Sequence, residues 1–102
     1  MNIIKCLSEQ IEDELGDAQK YIELAMKWKQ EEPEVAALFS ELSDEEIGHM
    51  ERLHEAVVKK IEDYRVKHGE PPKDMMTLYN YLHEKHMKLA TEIRVKQGMY
   101  DM

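Results

Sequence analysis

Two long segments of this chain place apolar residues at alternating steps of three and four, and this spacing constrains the fold more than any other feature. The first segment gives the series Ile4, Leu7, Ile11, Glu14, Ala18, Tyr21, Ala25 and Trp28. The second gives Val35, Phe39, Leu42, Glu46, His49, Leu53 and Ala56. Each series forms one stripe along an amphipathic helix. The chain is therefore predicted to be all-α.

Proline and glycine mark two breaks and so predict three helices, at about residues 3–30, 34–67 and 74–97. Pro33 suits the first turn of a helix, where its missing N–H costs nothing. Gly69, Pro71 and Pro72 form the second break. Because the first connection is short, helices one and two are predicted to form an antiparallel hairpin. With 102 residues, the chain fits one domain spanning 1–102. The third stripe reads Met75, Tyr79, Leu82, His86, Leu89 and Ile93.

Charge and composition narrow the possible partners. The net charge of −8 argues against nucleic acid and anionic membranes, which require clustered basic residues. The single cysteine, Cys6, excludes an intrachain disulfide and any Cys-based metal site within one chain. The first residues do not resemble a signal peptide, and no apolar run approaches membrane-spanning length. We therefore expect a cytoplasmic protein with no membrane or nucleic-acid partner.

Three ionisable residues, Glu14, Glu46 and His49, occupy positions on the two stripes. An uncompensated charge buried there costs on the order of several kcal/mol, so something must neutralise it. Glu46 and His49 form a Glu-x-x-His pair that shares one face of helix two. The second such pair, Glu51 and His54, lies on a more polar flank and is expected to be solvated. The first pair and Glu14 are the candidate metal ligands.

The antiparallel hairpin places Glu14 and Glu46 at about the same height, because both lie at similar distances from the turn. One chain supplies two carboxylates and one imidazole, too few for a dinuclear site. Two chains supply four Glu and two His, the ligand set of carboxylate-bridged di-iron bundles. The sequence therefore predicts a homodimer, or a higher homo-oligomer, whose paired hairpins form a four-helix bundle with two iron ions per dimer. Manganese or zinc would also suit these ligands.

Several alternatives stay open. Polar residues on a helical stripe can fix the register of a bundle without binding metal. The protein would then be a metal-free dimerisation or interaction module, or one in which a metal only holds the dimer together. His83 and His86 on helix three are expected to be satisfied core histidines. Tyr21 is expected to fill the core, with a role beside the metal site as the alternative.

The motifs resemble the ferritin-like superfamily and, within it, the rubrerythrin branch. The resemblance rests on Glu14 followed seven residues later by Tyr21, and on the acidic run Asp44-Glu45-Glu46 leading to His49. It covers about the first two-thirds of the chain. It implies an iron site at Glu14, Glu46 and His49, with O2 or peroxide as oxidant, and hence a ferroxidase or peroxide-reducing oxidoreductase. Asp17 is a possible additional carboxylate.

The chain also departs from that branch. Helix three has no Glu-x-x-His, so the chain is a half-bundle, similar in principle to encapsulated ferritins, in which the site forms between subunits. One cysteine cannot supply a four-Cys rubredoxin centre.

Overall fold

The computed structural model describes residues 2–102, and three helices account for most of them. They are α1 (Asn2–Trp28), α2 (Pro33–His68) and α3 (Lys73–Asp101). These residues contain no β-strand. The predicted all-α class and the three-helix arrangement are confirmed.

Helices α1 and α2 form a hairpin joined by residues 29–32. Backbone hydrogen bonds tighten this connection: the Glu32 N–H donates to Trp28 O at 2.8 Å, and the Ala36 N–H donates to Glu32 O at 2.8 Å. Pro33 occupies the first turn of α2, where its missing N–H has no intrahelical partner to lose. A connection this short makes the two helices antiparallel, so the middle of α1 lies against the middle of α2.

Helix α3 returns along α1. Gly69 ends α2 with φ of 79°, a left-handed conformation that favours glycine, and its N–H donates to Arg65 O at 3.0 Å. Lys85 pairs with Glu12, and Lys96 pairs with Glu23. From the first pair to the second, the residue number increases on both helices, so α3 runs in the same direction as α1. It packs mainly against α1 and much less against α2.

The C-terminal end of α3 extends further than the sequence indicates, to Asp101 instead of Gln97. Gly98 therefore lies inside the helix, where glycine costs about 1 kcal/mol relative to alanine. Two contacts offset this cost. Tyr100 packs against the core, and Lys29 donates to its backbone oxygen while lying 4.8 Å from the centre of its ring.

The buried stripe of α2 differs from the predicted one. The buried residues are Ala36, Ser43, Ile47, Met50, Val57 and Ile61. Most lie one position after a member of the predicted series, whose residues are half-buried or, at Val35 and His49, exposed. The buried residues of α1 include Ser8, Leu15 and Ile22, which likewise lie one position after members of the predicted series. The core contacts of α2 are centred beside its predicted stripe. On α1, Ile4, Ile11, Ala18 and Ala25 of the predicted stripe are in the core, and the other members, Leu7, Glu14, Tyr21 and Trp28, lie along the open edge of the hairpin.

The molecule is elongated, with extents of 56 × 19 × 17 Å and a radius of gyration of 16.4 Å. A compact domain of this length would have a radius of gyration of about 13 Å. Helix α3 contacts Glu12 and Glu23 on α1 and Asp44 on α2. These residues lie on the opposite side of their helices from Glu14 and Glu46, so one broad side of the hairpin faces away from α3. We call the open side the ligand face. Its members are Leu7, Glu14, Tyr21, Trp28, Val35, Phe39, Leu42, Glu46, His49 and Leu53.

The helices also bear on the question of membrane insertion. Within residues 2–102, none is long and apolar enough to cross a bilayer.

Candidate metal centre

Glu14, Glu46 and His49 meet at the middle of the ligand face. Glu14 comes from α1, while Glu46 and His49 lie one turn apart on α2. The His49 Nδ1 atom is 3.3 Å from Glu14 Oε2 and 3.8 Å from Glu46 Oε2. One ligand atom from each residue lies within 4.8 Å of the other two. The structure thus brings together the three residues singled out by sequence.

The site is only partly shielded within one chain. The side chains of Glu14 and Glu46 are 23% and 18% exposed, whereas that of His49 is 55% exposed. Gln10, Arg52 and Leu53 border an open pocket beside Glu14 and His49. Within one chain, the three side chains therefore lie at the open edge of the hairpin, with His49 the most exposed of them. His49 points away from the hairpin core, where a second molecule could reach it.

The two carboxylates strongly influence each other. A hydrogen bond with Glu14 raises the pKa of Glu46 to about 7, and burial and the negative charge of Glu14 act in the same direction. The charge of His49 acts to lower the pKa, and Asp17 raises it slightly. Two carboxylates held this close favour a shared proton. A divalent cation can replace that proton, and a set of carboxylate oxygens and one imidazole nitrogen suits iron, manganese or zinc.

A chain of buried hydrogen bonds fixes the two helices beside this cluster. The Ser43 hydroxyl donates to Ala18 O at 2.7 Å, one turn from Glu14 on α1 and from Glu46 on α2. The Gln97 amide donates to Ser43 Oγ at 2.9 Å, and Arg94 donates to Gln97 Oε1 at 2.7 Å. The network ties α3 to the hairpin and holds the backbone from which the ligands project.

Sequence reasoning missed Ser43 and Gln97. Ala36, Ser43, Met50 and Val57 recur every seven residues along α2. This spacing could have revealed Ser43, because it places the hydroxyl on the buried stripe of the helix. No comparable signal identifies Gln97, whose burial depends on where α3 packs.

The second Glu-x-x-His pair does not form a site. Glu51 is exposed and lies 3.6 Å from Arg94, as expected for a solvated side chain. His54, in contrast, is half-buried and stacks on His83 with ring centres 4.7 Å apart, so the expectation that it is solvated is wrong. Burial lowers the pKa of His54, and the neighbouring His83 acts in the same direction. The stacked pair of His54 and His83 joins α2 to α3 and lies outside the cluster of Glu14, Glu46 and His49.

Three other residues complete the comparison. Tyr21 is half-buried and stacks on Phe39 with ring centres 6.2 Å apart. Asp17 is exposed and lies outside the cluster of three. His86 is buried as predicted, but its Nε2 has no hydrogen-bond partner within residues 2–102, so the expectation of a satisfied core histidine is wrong.

The raised pKa of Glu46 predicts how the stability of the metal-free protein depends on pH. The folded state holds the proton up to about pH 7, whereas an ordinary glutamate loses it near 4.5. The contribution of Glu46 to stability is therefore complete below about 4.5 and is lost as the pH rises through about 7. Urea unfolding of the wild type and of Glu46→Gln should show the wild type losing stability relative to the variant across this window.

The subtraction removes the contributions of His54 and His86, which are present in both proteins, and leaves that of Glu46 and its interaction with Glu14. A difference that stays constant from pH 5 to pH 8 would contradict the shared proton between Glu14 and Glu46.

Together, the helical hairpin and the cluster of Glu14, Glu46 and His49 on its open face define an all-helical protein in which two carboxylates and one imidazole lie close enough to hold a metal ion. The rubrerythrin family model matches residues 5–101, and the chain belongs to this family, which is part of the ferritin-like superfamily. The match includes α3, beyond the first two-thirds of the chain in which the sequence motifs lie. Comparisons with curated proteins and with solved structures gave no match.

Proposed function

We propose that this protein binds ferrous iron as a homodimer and oxidises it with O2 or peroxide. The observation that carries the proposal is the convergence of Glu14, Glu46 and His49 within 4.8 Å on the ligand face. Membership of the rubrerythrin family supports an iron-binding fold. Two copies paired through the ligand face would form a four-helix bundle with a di-iron site at its centre.

The number of ligands supports the dimer. One chain offers two carboxylates and one imidazole, whereas a di-iron bundle uses four carboxylates and two imidazoles. A two-fold axis through the ligand face would supply the second set. The apolar members of the face, such as Leu7, Leu42 and Leu53, lie on both sides of the cluster along the hairpin. Their burial against a second copy would favour association.

Each ligand has a role that follows from its position. Glu14 and Glu46 face each other across the hairpin, so either carboxylate could bridge two ions. Glu46 holds a proton in the metal-free protein, and metal binding releases that proton. Metal affinity should therefore increase as the pH is raised toward about 7. His49 would act as a terminal ligand, since it lies at the exposed margin of the cluster. Ferrous iron is the substrate: the two ions of a dimer would together give two electrons to O2, which with two protons becomes hydrogen peroxide, or to hydrogen peroxide, which with two protons becomes water.

Anaerobic titration of the metal-free protein with ferrous iron tests the proposal. We expect a sharp end point at about one iron per chain, which corresponds to about two per dimer. Air is then added to one sample and peroxide to another, and in at least one of them the bound iron should become ferric while the oxidant is consumed. Iron absorbance and an oxygen electrode measure the two events separately.

The outcomes separate the alternatives. No end point would mean that the three residues set packing and register only. An end point without oxygen or peroxide consumption would indicate a metal that holds the dimer together, with no oxidation chemistry.

A further inference from the structure

The first half of α3 packs against the hairpin far less closely than the second half. None of residues 73–85, which we call the leading segment, is buried, and the buried residues of the helix are His86, Ala90, Ile93 and Gln97. A cavity of about 200 Å³ lies between the leading segment and α1, bordered by Ile4 on α1 and Tyr79 on α3. The segment also begins without a side-chain cap, because Pro72 at its N-cap position makes no such hydrogen bond. Packing therefore contributes little to the docking of this segment.

Polar contacts show the same difference between the two halves of α3. Those of the second half are Gln97 with Ser43, Arg94 with Asp44, and Lys96 with Glu23. The leading segment pairs Lys85 with Glu12 and stacks His83 on His54 of α2. Tyr79 extends the stack, with its ring centre 5.7 Å from that of His83. The stacked histidines therefore carry much of the contact between the leading segment and α2.

Protonation opposes this docking. The rings of His54 and His83 lie nearly parallel with centres 4.7 Å apart, so two protonated rings would hold like charges face to face. Burial lowers the pKa of His54, and His83 acts in the same direction. One turn further along α3, His86 is 4% exposed, and its Nε2 has no hydrogen-bond partner among residues 2–102. A protonated His86 would leave a buried, charged N–H unpaired, and burial lowers its pKa as well.

The charged groups around these histidines do not cancel the effect. They are Lys5, Glu9 and Glu12 on α1, Glu51 and Glu55 on α2, and Lys85 and Arg94 on α3. Glu12 is paired with Lys85, and Glu51 lies 3.6 Å from Arg94. Glu55 acts to raise the pKa of His54, but less than burial lowers it. The docked histidines therefore favour the neutral form.

The direction of the pH effect follows from this preference. In the released segment the histidines regain an ordinary pKa of 6.5, above their pKa in the docked state. Their contribution to docking is therefore complete above about pH 6.5 and is lost as the pH falls below that value. A segment this short forms only a marginal helix by itself in water, so release also unfolds it.

We propose that mildly acidic pH releases the leading segment from the hairpin, with the stacked pair of His54 and His83 as the sensor, while the second half of α3 stays docked. Release exposes apolar side chains that border the cavity, such as Ile4 and Leu82. The stacked pair lies outside the cluster of Glu14, Glu46 and His49, so the inference does not depend on the proposed iron chemistry.

Amide hydrogen exchange of the metal-free wild-type protein, followed by NMR, tests the proposal. Protection factors remove the intrinsic effect of pH on exchange and report the opening of each hydrogen bond. From about pH 7.5 to about pH 5.5, those of residues 77–85 should fall by about 10-fold or more. This is the effect of a difference of about one pKa unit between the docked and released states. Protection factors of residues 93–97 should change by less than about 2-fold.

The double variant His54→Phe/His83→Phe keeps two stacked rings and removes both protonation sites, so most of the fall should disappear. His68→Phe is the matched control, because His68 is exposed at the end of α2 and lies 5.0 Å from the Tyr64 ring, and it should behave as the wild type. If the double variant does not fold, titration of the wild-type ring signals decides: the His54 midpoint should lie below 6.5 and coincide with the loss of protection. An equal fall in all three helices, no fall, or the same fall in the double variant would overturn the proposal.

Discussion

Replacing His49 with Ala is expected to weaken ferrous binding by more than about 100-fold while leaving a helical dimer. Loss of a residue that merely orients a metal ligand costs about 10- to 100-fold in affinity, so loss of a ligand itself should exceed that range. The side chain is 55% exposed and lies on the hairpin surface, so its removal should leave the core and the helices intact. Anaerobic titration measures the affinity, and circular dichroism and light scattering check the fold and the dimer.

His54→Ala provides the control for this experiment. It removes the histidine of the other Glu-x-x-His pair on the same helix, and His54 stacks on His83 outside the cluster. Its iron end point should match that of the wild type. Stoichiometric iron retained by His49→Ala, or lost equally in both variants, would contradict the assigned ligands.

A second large effect is expected from Leu7→Arg, which places a charge on the ligand face two turns from Glu14. Leu7 is half-buried in one chain, and pairing through the face would bury it further. An unpaired buried charge costs about 3–5 kcal/mol, which would weaken the dimer by about 100- to several-thousand-fold. Sedimentation of the metal-free protein should show a monomer for this variant and a dimer for the wild type. The monomer should also lose the sharp iron end point, although Glu14, Glu46 and His49 are unchanged.

Val66→Arg is the matched control, since Val66 is 85% exposed on α2 and lies outside the ligand face. It should remain a dimer. A Leu7→Arg variant that stays dimeric would place the interface elsewhere. Together the two substitutions separate ligation from assembly: His49→Ala should keep the dimer and lose iron, whereas Leu7→Arg should lose the dimer first.

Much of the fold is local in origin and was therefore accessible from sequence. The spacing of apolar residues predicted the helices, and Pro33 and the Gly69–Pro72 break separated them. The short connection at residues 29–32 implied the antiparallel hairpin, and with it the alignment of Glu14 with Glu46. Because helix periodicity places Glu46 and His49 on one face, the candidate ligands followed from the same reasoning.

The tertiary structure decided what helix periodicity leaves open. A stripe does not specify how far each helix turns about its axis, and contacts between α1, α2 and α3 settled that rotation. They buried Ser43 and Ile47 and left His49 exposed on the open face. Helix α3 stacked His54 on His83 and enclosed His86, whose Nε2 has no hydrogen-bond partner among residues 2–102. It continued through Gly98 because Tyr100 and Lys29 anchor its last turn. The sequence determined the helices and the ligand spacing, and packing between helices determined which side chains are covered.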